Sequence, residues 1–194
     1  SRIRGGHNYA QIRIQDSPVL SIKDRPDVLI ALDERKIDQD LPDLAADGVL
    51  MFDGERTGRP AKSPNHLSVP LERLANEVGG GKIMANTVAT GAALALIGVE
   101  IEPLLDYLEE QFGVKGNETV GRNQACASAG YRHVQEHFRR SVSQKISLGT
   151  PQRGKLLLSG SEAMGIGSIF AGLKFYAGYP MSPSTAIMEY VASQ

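Results

Sequence analysis

The segment that decides the fold class runs from residue 28 to residue 53 and reads VLIALDERKIDQDLPDLAADGVLMFD. It begins with the apolar run Val28-Leu29-Ile30-Ala31-Leu32 and ends with a second one, Gly48-Val49-Leu50-Met51-Phe52-Asp53. Short continuous apolar runs are typical of strands that are buried on both faces of a parallel sheet. Residues 34–46, between the two runs, are predicted to form a helix or two short turns. The segment therefore predicts an α/β fold with a mostly parallel sheet.

Predicted elements on both sides of this segment continue the α/β pattern. Polar and apolar residues alternate over residues 7–14, which predicts a strand. Residues 54–65 are rich in Gly, Pro, Arg and Lys, and they are predicted to form a surface loop. Helical patterns follow over residues 70–78, 84–97, 101–112 and 117–140, with Asn117 as the cap of the last helix. Small residues around Gly91 would let a neighbouring element approach closely.

The pattern restarts after Thr150-Pro151-Gln152-Arg153-Gly154, a composition typical of a linker. We interpret residues 1–149 as one domain, residues 150–154 as the linker and residues 155–194 as the beginning of another domain. About 40 residues are too few for a stable α/β domain. Since the sequence also begins without Met, we expect the chain to be truncated at both ends.

The part after the linker has the pattern of a βαβ unit, which implies a parallel sheet. Strands are predicted over residues 155–158 and 175–179. The helix between them, residues 162–173, would turn one apolar face inward, made of Ala163, Ile166, Phe170 and Leu173. A further helix is predicted from Pro183 to Ala192.

The composition excludes several classes of protein. With 41% hydrophobic and 22% charged residues among 194, the chain is an ordinary globular protein. The formal net charge of -1 gives no long-range attraction to nucleic acid or to an anionic membrane. Cys126 is the one cysteine, so it can form neither an internal disulfide nor a cysteine-ligated iron-sulfur cluster. We expect a cytoplasmic protein that binds no nucleic acid and enters no membrane.

One motif raises an alternative function. The residues His133-Val134-Gln135-Glu136-His137 match the H-x-x-E-H spacing of a zinc hydrolase. A catalytic zinc ion needs a third ligand, and the two downstream glutamates, Glu162 and Glu189, both lie beyond the linker. We therefore favour a polar helix end and expect no metal on this chain, with the zinc hydrolase as the alternative.

Two positions have the context of a ligand site. Asp53 follows a predicted strand, at the edge where α/β sheets bind ligands, although turn formation with Gly54 is favoured. The second position is the turn Tyr179-Pro180-Met181-Ser182-Pro183-Ser184, in which Ser182 is predicted to cap the next helix and Pro183 to occupy its first position. Free N–H groups at such a helix end suit a carboxylate or a phosphate. From the residues alone, a ligand site and plain helix initiation both remain open.

These motifs also resemble those of a known enzyme family. The sequence Ser159-Gly160-Ser161-Glu162-Ala163, followed by residues 172–184 and Ile187-Met188-Glu189, resembles the start of the alpha subunit of 2-oxoacid:acceptor (ferredoxin) oxidoreductases. That family carries S-G-N-E-A and then Y-P-I-T-P-S/T. Residues 4–14 are similar to its R-G-G-H-N-x-x-Q-I-R segment, and residues 84–92 to its A-N-x-V-x-x-G-A helix, both of the gamma domain. The motifs occur in the order of a fused gamma-alpha subunit.

The resemblance implies a fold and a site. The first domain would be a three-layer gamma domain, and the second would be the start of the alpha domain that binds the thiamine pyrimidine. Ser182 stands where the family has a Thr hydroxyl near the substrate, which makes it the catalytic candidate; the substrate-binding candidates are Tyr179, Pro180, Ser182 and Pro183. Ser161 replaces the family's Asn, which puts the role of that position in doubt. Candidate cofactor-binding residues are Gly5, Gly6 and Asn86.

The resemblance also implies cofactors and partners. The family decarboxylates a 2-oxoacid oxidatively with thiamine diphosphate and Mg, passes electrons through iron-sulfur clusters to ferredoxin, and releases an acyl-CoA. A beta subunit would hold most of these groups, in a dimer of heterodimers, and this chain alone would be inactive. 2-Oxoglutarate is the favoured substrate, with pyruvate and branched 2-oxoacids as alternatives. A non-catalytic CoA-binding or assembly module is the remaining alternative function.

Overall fold

A computed structural model describes residues 9–79, 81–138, 146, 149, 156–182 and 184–194. The chain divides into two units, Ser1–Leu148 and Gly149–Gln194. The predicted linker, residues 150–154, lies outside the described residues.

The first unit is built on a small parallel sheet. Within the described residues its strands are β1 (Val28–Ala31), β2 (Val49–Phe52) and β3 (His66–Ser68), in the order β1-β2-β3. Val28 lies opposite Val49, and Leu50 lies opposite His66. A 3₁₀ turn (Glu34–Lys36), helix α1 (Ile37–Asp40) and a second 3₁₀ turn (Leu41–Asp43) join β1 to β2. The two apolar runs and the short turns between them are confirmed.

The buried residues of β2 separate two hydrophobic layers, because successive side chains of a strand point to opposite faces. Val49 and Met51 pack in one cluster, and Leu50 and Phe52 pack in the other. The first cluster contains residues of the helices that follow the sheet: Leu71, Ala75, Val88, Ala89, Ala92, Leu96, Cys126 and Val134. The second contains the residues of the β1–β2 connection, Ile37 and Leu44. This confirms the α/β fold in three layers.

The helices of the first unit follow the prediction except at residues 54–57, where the predicted surface loop is a short helix because the Asp53 side chain caps it. They are α2 (Gly54–Thr57), α3 (Leu71–Gly79), α4 (Ala85–Ile97), α5 (Glu102–Phe112) and α6 (Asn117–His137), with 3₁₀ turns at Lys82–Met84 and Gly113–Lys115. The predicted cap of α6 was wrong. Gly116 is the N-cap, without a side-chain hydrogen bond, and Asn117 is the first helical residue. Gly116 has φ +93°, a conformation that glycine adopts without strain, and it turns the chain into the helix.

Helices α4 and α6 cross at two glycines. A Cβ atom on Gly91 would lie 2.0 Å from the carbonyl oxygen of Ala127, and one on Gly130 would lie 2.0 Å from that of Val88. Since no side chain fits there, the two backbones touch directly. The expected close approach at Gly91 is confirmed, and Gly130 is its counterpart on the other helix.

The strand predicted over residues 7–14 is wrong for its described part. Residues 9–14 form no strand, and Tyr9 and Ile12 are about four-fifths exposed, at 80% and 84%. The segment is held by side chains instead, since Gln11 Nε2 donates to the carbonyl of Lys23 (2.6 Å) and Arg13 Nη1 to that of Ser21 (3.0 Å). Alternation alone does not make a strand without a neighbouring strand to pair with.

The second unit has helices α7 (Gly160–Phe170) and α8 (Ser184–Ser193). Ser159 and Glu162 form a capping box at the start of α7. The aromatic ring of Tyr190 in α8 packs on Gly165 in α7, where a Cβ would lie 2.5 Å from the ring.

The βαβ prediction is wrong for the described residues of this unit. Residues 156–158 and 175–179 form no strands, and Leu157 is fully exposed. The predicted inward face of α7 is also largely uncovered, because Phe170 is 89% exposed. Parallel strands are stable only when other strands and helices cover them.

No single helix in the described ranges is long and apolar enough to cross a membrane. The bent pair Leu71–Gly79 and Lys82–Ile97 reaches that length and composition together.

Candidate functional site

The turn before α8 is closed by the hydroxyl of Ser184. Ser184 Oγ lies 2.6 Å from the carbonyl oxygen of Tyr179 and 2.6 Å from that of Met181. Two backbone bonds tighten the same turn, from Met181 N to the Tyr179 carbonyl (2.8 Å) and from Thr185 N to the Met181 carbonyl (3.3 Å). The turn is therefore held by its own polar groups.

Tyr176 fastens the other side of this turn. Its hydroxyl donates to the carbonyl of Ser184 (3.3 Å), and its ring lies against Gly178, where a Cβ would come within 2.9 Å of the ring. A side chain at this position would force the Tyr176 ring to shift.

The residues with predicted substrate roles lie together on this turn. Tyr179, Pro180 and Ser182 are exposed, and Pro183 lies outside the described residues. That Ser182 caps α8 stays a prediction. An exposed hydroxyl next to a helix N-terminus can donate to a carboxylate or a carbonyl oxygen, so the arrangement suits the predicted chemistry.

Neither Ser184 nor Tyr176 was predicted to have a role of its own in this turn. The available signal for Ser184 was local, because a serine near a helix start often bonds to backbone carbonyls of its own turn. Tyr176 could not be found this way, since its contact depends on how the chain folds back at Gly178.

Asp53 has a structural role at the carboxyl edge of the sheet. Its side chain is buried, and Oδ1 accepts a hydrogen bond from Arg56 N (3.0 Å) while Oδ2 accepts one from Glu72 N (2.9 Å). One carboxylate thus caps the N-termini of α2 and α3. The favoured interpretation, a turn with Gly54, is confirmed, and both oxygens are engaged without a ligand.

Charged residues beside Asp53 pair with one another. Arg73 contacts Glu55 (2.9 Å) and Glu77 (3.2 Å), and Arg56 contacts Glu72 (3.5 Å). The hydrogen bond from Arg73 holds the pKa of Glu55 below its usual value. The Arg73–Glu55 and Arg56–Glu72 pairs fasten α2 to α3 at the surface, while the Arg73–Glu77 pair lies within α3.

The two histidines of the H-x-x-E-H motif lie against each other on α6. The rings of His133 and His137 stack, with 4.3 Å between centroids and 16° between planes. Nδ1 of His137 lies 3.0 Å from the carbonyl oxygen of His133, to which it donates as the protonated tautomer. Across the described part of the chain, no group of three His, Cys, Asp or Glu side chains is placed to hold a metal ion. Stacked histidines without a third ligand among the described residues give the zinc-hydrolase alternative no support.

The cofactor candidates remain predictions. Gly5 and Gly6 lie outside the described residues, and Asn86 is exposed in the first turn of α4. Cys126 is buried beside Met84, with 3.8 Å between the sulfur atoms, and burial raises the pKa of its thiol. It is therefore packed as an apolar side chain.

Comparison with known proteins gives one family. Residues 1–133 match the family described as pyruvate ferredoxin/flavodoxin oxidoreductase. The alpha subunit of 2-oxoacid:ferredoxin oxidoreductase 2 from Aeropyrum pernix is 23% identical, over 98% of this chain and 36% of that protein. Ketoisovalerate oxidoreductase subunit VorA from Methanothermobacter thermautotrophicus is 28% identical, over 70% of this chain and 28% of that protein. The chain thus spans about a third of the length of these relatives.

A solved structure has the same fold. The 2-oxoglutarate:ferredoxin oxidoreductase from Magnetococcus marinus, with 2-oxoglutarate, coenzyme A and succinyl-CoA bound, superposes with a TM-score of 0.76 at 24% identity. The match covers 91% of this chain and 31% of that one. The resemblance drawn from the sequence motifs is confirmed, and the chain belongs to the pyruvate ferredoxin/flavodoxin oxidoreductase family.

Proposed function

We propose that this chain is part of a 2-oxoacid:ferredoxin oxidoreductase. The complete enzyme would cleave the bond between the carboxylate and the keto carbon of a 2-oxoacid, releasing CO₂. The acyl group would pass to the sulfur of CoA, and the electron pair left by the oxidation would pass to ferredoxin. The family match over residues 1–133 and the names of the relatives support this proposal.

The observation that carries the site assignment is the exposed turn before α8. Ser182 is exposed in a turn that Ser184 and Tyr176 hold in place. We assign Ser182 to a hydrogen bond with the carboxylate or keto oxygen of the substrate, and Tyr179, Pro180 and Pro183 to the wall beside it. The positive end of the α8 dipole would add to the attraction for an anionic substrate.

The cofactors would come chiefly from a partner. Thiamine diphosphate with Mg supplies the carbanion chemistry of decarboxylation when it is bound. A [4Fe–4S] cluster takes cysteine thiolates as ligands, whereas this chain has one cysteine, which is buried. We assign the clusters and most of the thiamine site to a beta subunit, in a dimer of heterodimers, and we expect this chain alone to be inactive.

2-Oxoglutarate is the substrate we favour within this class. The support is the order of the motifs, which corresponds to a fused gamma-alpha subunit. Pyruvate and branched 2-oxoacids are the alternatives, and a relative named for ketoisovalerate keeps the branched class in consideration. A cytoplasmic location is part of the proposal, since the buried thiol of Cys126 suits a reducing compartment.

The test uses the full-length protein in complex with its partner. We expect CoA-dependent reduction of ferredoxin or methyl viologen with at least one of 2-oxoglutarate, pyruvate and 2-oxoisovalerate. Ser182→Ala should lower kcat/KM by about 10- to 100-fold, which corresponds to losing a hydrogen bond to a charged group. Ser182→Thr should retain most of the activity because it keeps the hydroxyl.

Ser168→Ala is the matched control. Its hydroxyl donates to the carbonyl of Met164 within α7 (2.8 Å), away from the turn. A complex that is inactive with all three acids would refute the proposed reaction. If that inactive complex still bound CoA, the CoA-binding module would become the better explanation.

A further inference from the structure

We infer that Ser184 is a positioning residue, which holds the backbone of the turn so that the Ser182 hydroxyl faces the substrate. The inference rests on the proposed function for its link to catalysis. Its structural part, that Ser184 determines the conformation of residues 179–182, stands on the contacts alone.

The hydroxyl of Ser184 is placed between two carbonyls that define the turn. The distances to the Tyr179 and Met181 oxygens are both 2.6 Å. A serine hydroxyl has one proton, so the bond is shared between these oxygens or alternates between them. Met181 lies directly before Ser182, and its carbonyl belongs to the peptide unit that joins the two residues. Because the peptide unit is planar, a hydrogen bond that holds the Met181 carbonyl also fixes the direction of the backbone at Ser182.

The backbone of Ser184 is itself anchored. Tyr176 donates its hydroxyl to the Ser184 carbonyl (3.3 Å), from a ring that packs on Gly178. At the other end of α8, the ring of Tyr190 packs on Gly165 of α7. Ser184 therefore connects a helix that packs on α7 through Tyr190 to a turn that is exposed.

The same helix contains a matched serine that lacks this connection. Ser193 Oγ donates to the carbonyl of Tyr190 (2.7 Å), which is a bond of the same kind at the last turn of α8. Both serines belong to α8, and removing either hydroxyl removes an exposed hydrogen bond from a side chain to a backbone carbonyl. Only the removal of the Ser184 hydroxyl changes the turn that carries Ser182.

The activity test compares single variants in the full-length complex. We expect Ser184→Ala to lower kcat/KM for the 2-oxoacid about tenfold, the effect of one lost hydrogen bond. Ser184→Thr keeps the hydroxyl and should stay within about threefold of the wild type, as should Ser193→Ala. Equal losses in Ser184→Ala and Ser193→Ala would overturn the inference.

A double-variant cycle tests whether Ser184 acts through Ser182. If it does, Ser184→Ala should cost less than about twofold in a Ser182→Ala background, because the positioned hydroxyl is already gone. A full tenfold loss in that background would show that Ser184 acts independently of Ser182.

Hydrogen exchange distinguishes a failure of this inference from a failure of the proposed function. In Ser184→Ala, the amides of Met181 and Thr185 should exchange about tenfold faster than in the wild type, because the turn opens more often. Ser193→Ala should leave them unchanged. An inactive wild-type complex that shows this exchange pattern would refute the reaction and retain the positioning role, whereas unchanged exchange in Ser184→Ala would refute the positioning role.

Discussion

The substitution Gly130→Ala tests the close backbone contact between helices α4 and α6 in the first unit. Its new methyl group would lie 2.0 Å from the carbonyl oxygen of Val88, 2.9 Å from its carbon and 3.1 Å from Ala92 N. All three atoms belong to the backbone of α4 and cannot rotate away. Real Cβ atoms keep at least 3.0 Å from such atoms, so α4 must move away from α6 by at least the difference, 3.0 − 2.0 = 1.0 Å.

The magnitude follows from two opposing effects. Overpacking a well-packed core costs typically 1–3 kcal/mol, and about 3 kcal/mol is expected here because the obstacle is backbone. Alanine gains about 1 kcal/mol over glycine as a helix former. The net loss in the free energy of unfolding is therefore about 2 kcal/mol, equivalent to a fall in Tm of about 4–8 °C for a protein of this size.

Gly121 provides the control within the same helix. It is exposed, and a Cβ on Gly121 has nothing within 4 Å. Gly121→Ala should therefore stabilise the protein by about 0.5–1 kcal/mol, through helix propensity alone. The assay is urea denaturation followed by circular dichroism for the wild type and both variants. A Gly130→Ala variant that is as stable as Gly121→Ala would refute the expected clash between α4 and α6.

Two further predictions concern the carboxyl edge of the sheet and the histidines. Asp53→Ala should lower the free energy of unfolding by about 2–4 kcal/mol, because two helix N-termini lose their buried acceptor; Asp38→Ala, at an exposed ion pair with Arg59, should show no resolvable change in urea denaturation. The pKa values of His66 and His133 are lowered from 6.5, in both cases mainly by burial. As the pH falls, these histidines take up protons in the unfolded chain before they do so in the folded protein. Their contribution to the free energy of unfolding is therefore complete above about pH 7 and declines as the pH falls through 6.5. Urea denaturation midpoints should be lower at about pH 5.5 than at about pH 7.5. The difference should be smaller in the double variant with His66→Gln and His133→Gln. A higher midpoint at the acidic pH would contradict this.

The local sequence was enough for the elements that carry their own pattern. The runs that form β1 and β2 are apolar throughout; β2 is buried on both faces, whereas Ile30 of β1 is 38% exposed. Helices α3 to α6 were predicted because their apolar residues recur at helical spacing. Strand β3 was missed, since its three residues, His66–Ser68, are too few to show a period.

The strands predicted in the second unit were wrong because strand formation depends on contacts outside the segment itself. Residues 156–158 and 175–179 have the composition of strands, yet their side chains are largely exposed and no ladder forms among the described residues. Strand formation depends on a neighbour that supplies hydrogen bonds and cover. The local sequence indicates that such a segment can form a strand, but the surrounding chain determines whether the strand forms.

The sequence by itself determined the α/β class, the family and the turn that carries Ser182, because each depends on residues that are close together in the chain. The tertiary structure decided which polar groups contact one another. It placed both oxygens of Asp53 on two helix ends, stacked the two histidines that had the spacing of a zinc site, and closed the turn with Ser184 and Tyr176. The physical reason is that a hydrogen bond is decided within about 3 Å, and only the folded chain brings distant groups that close.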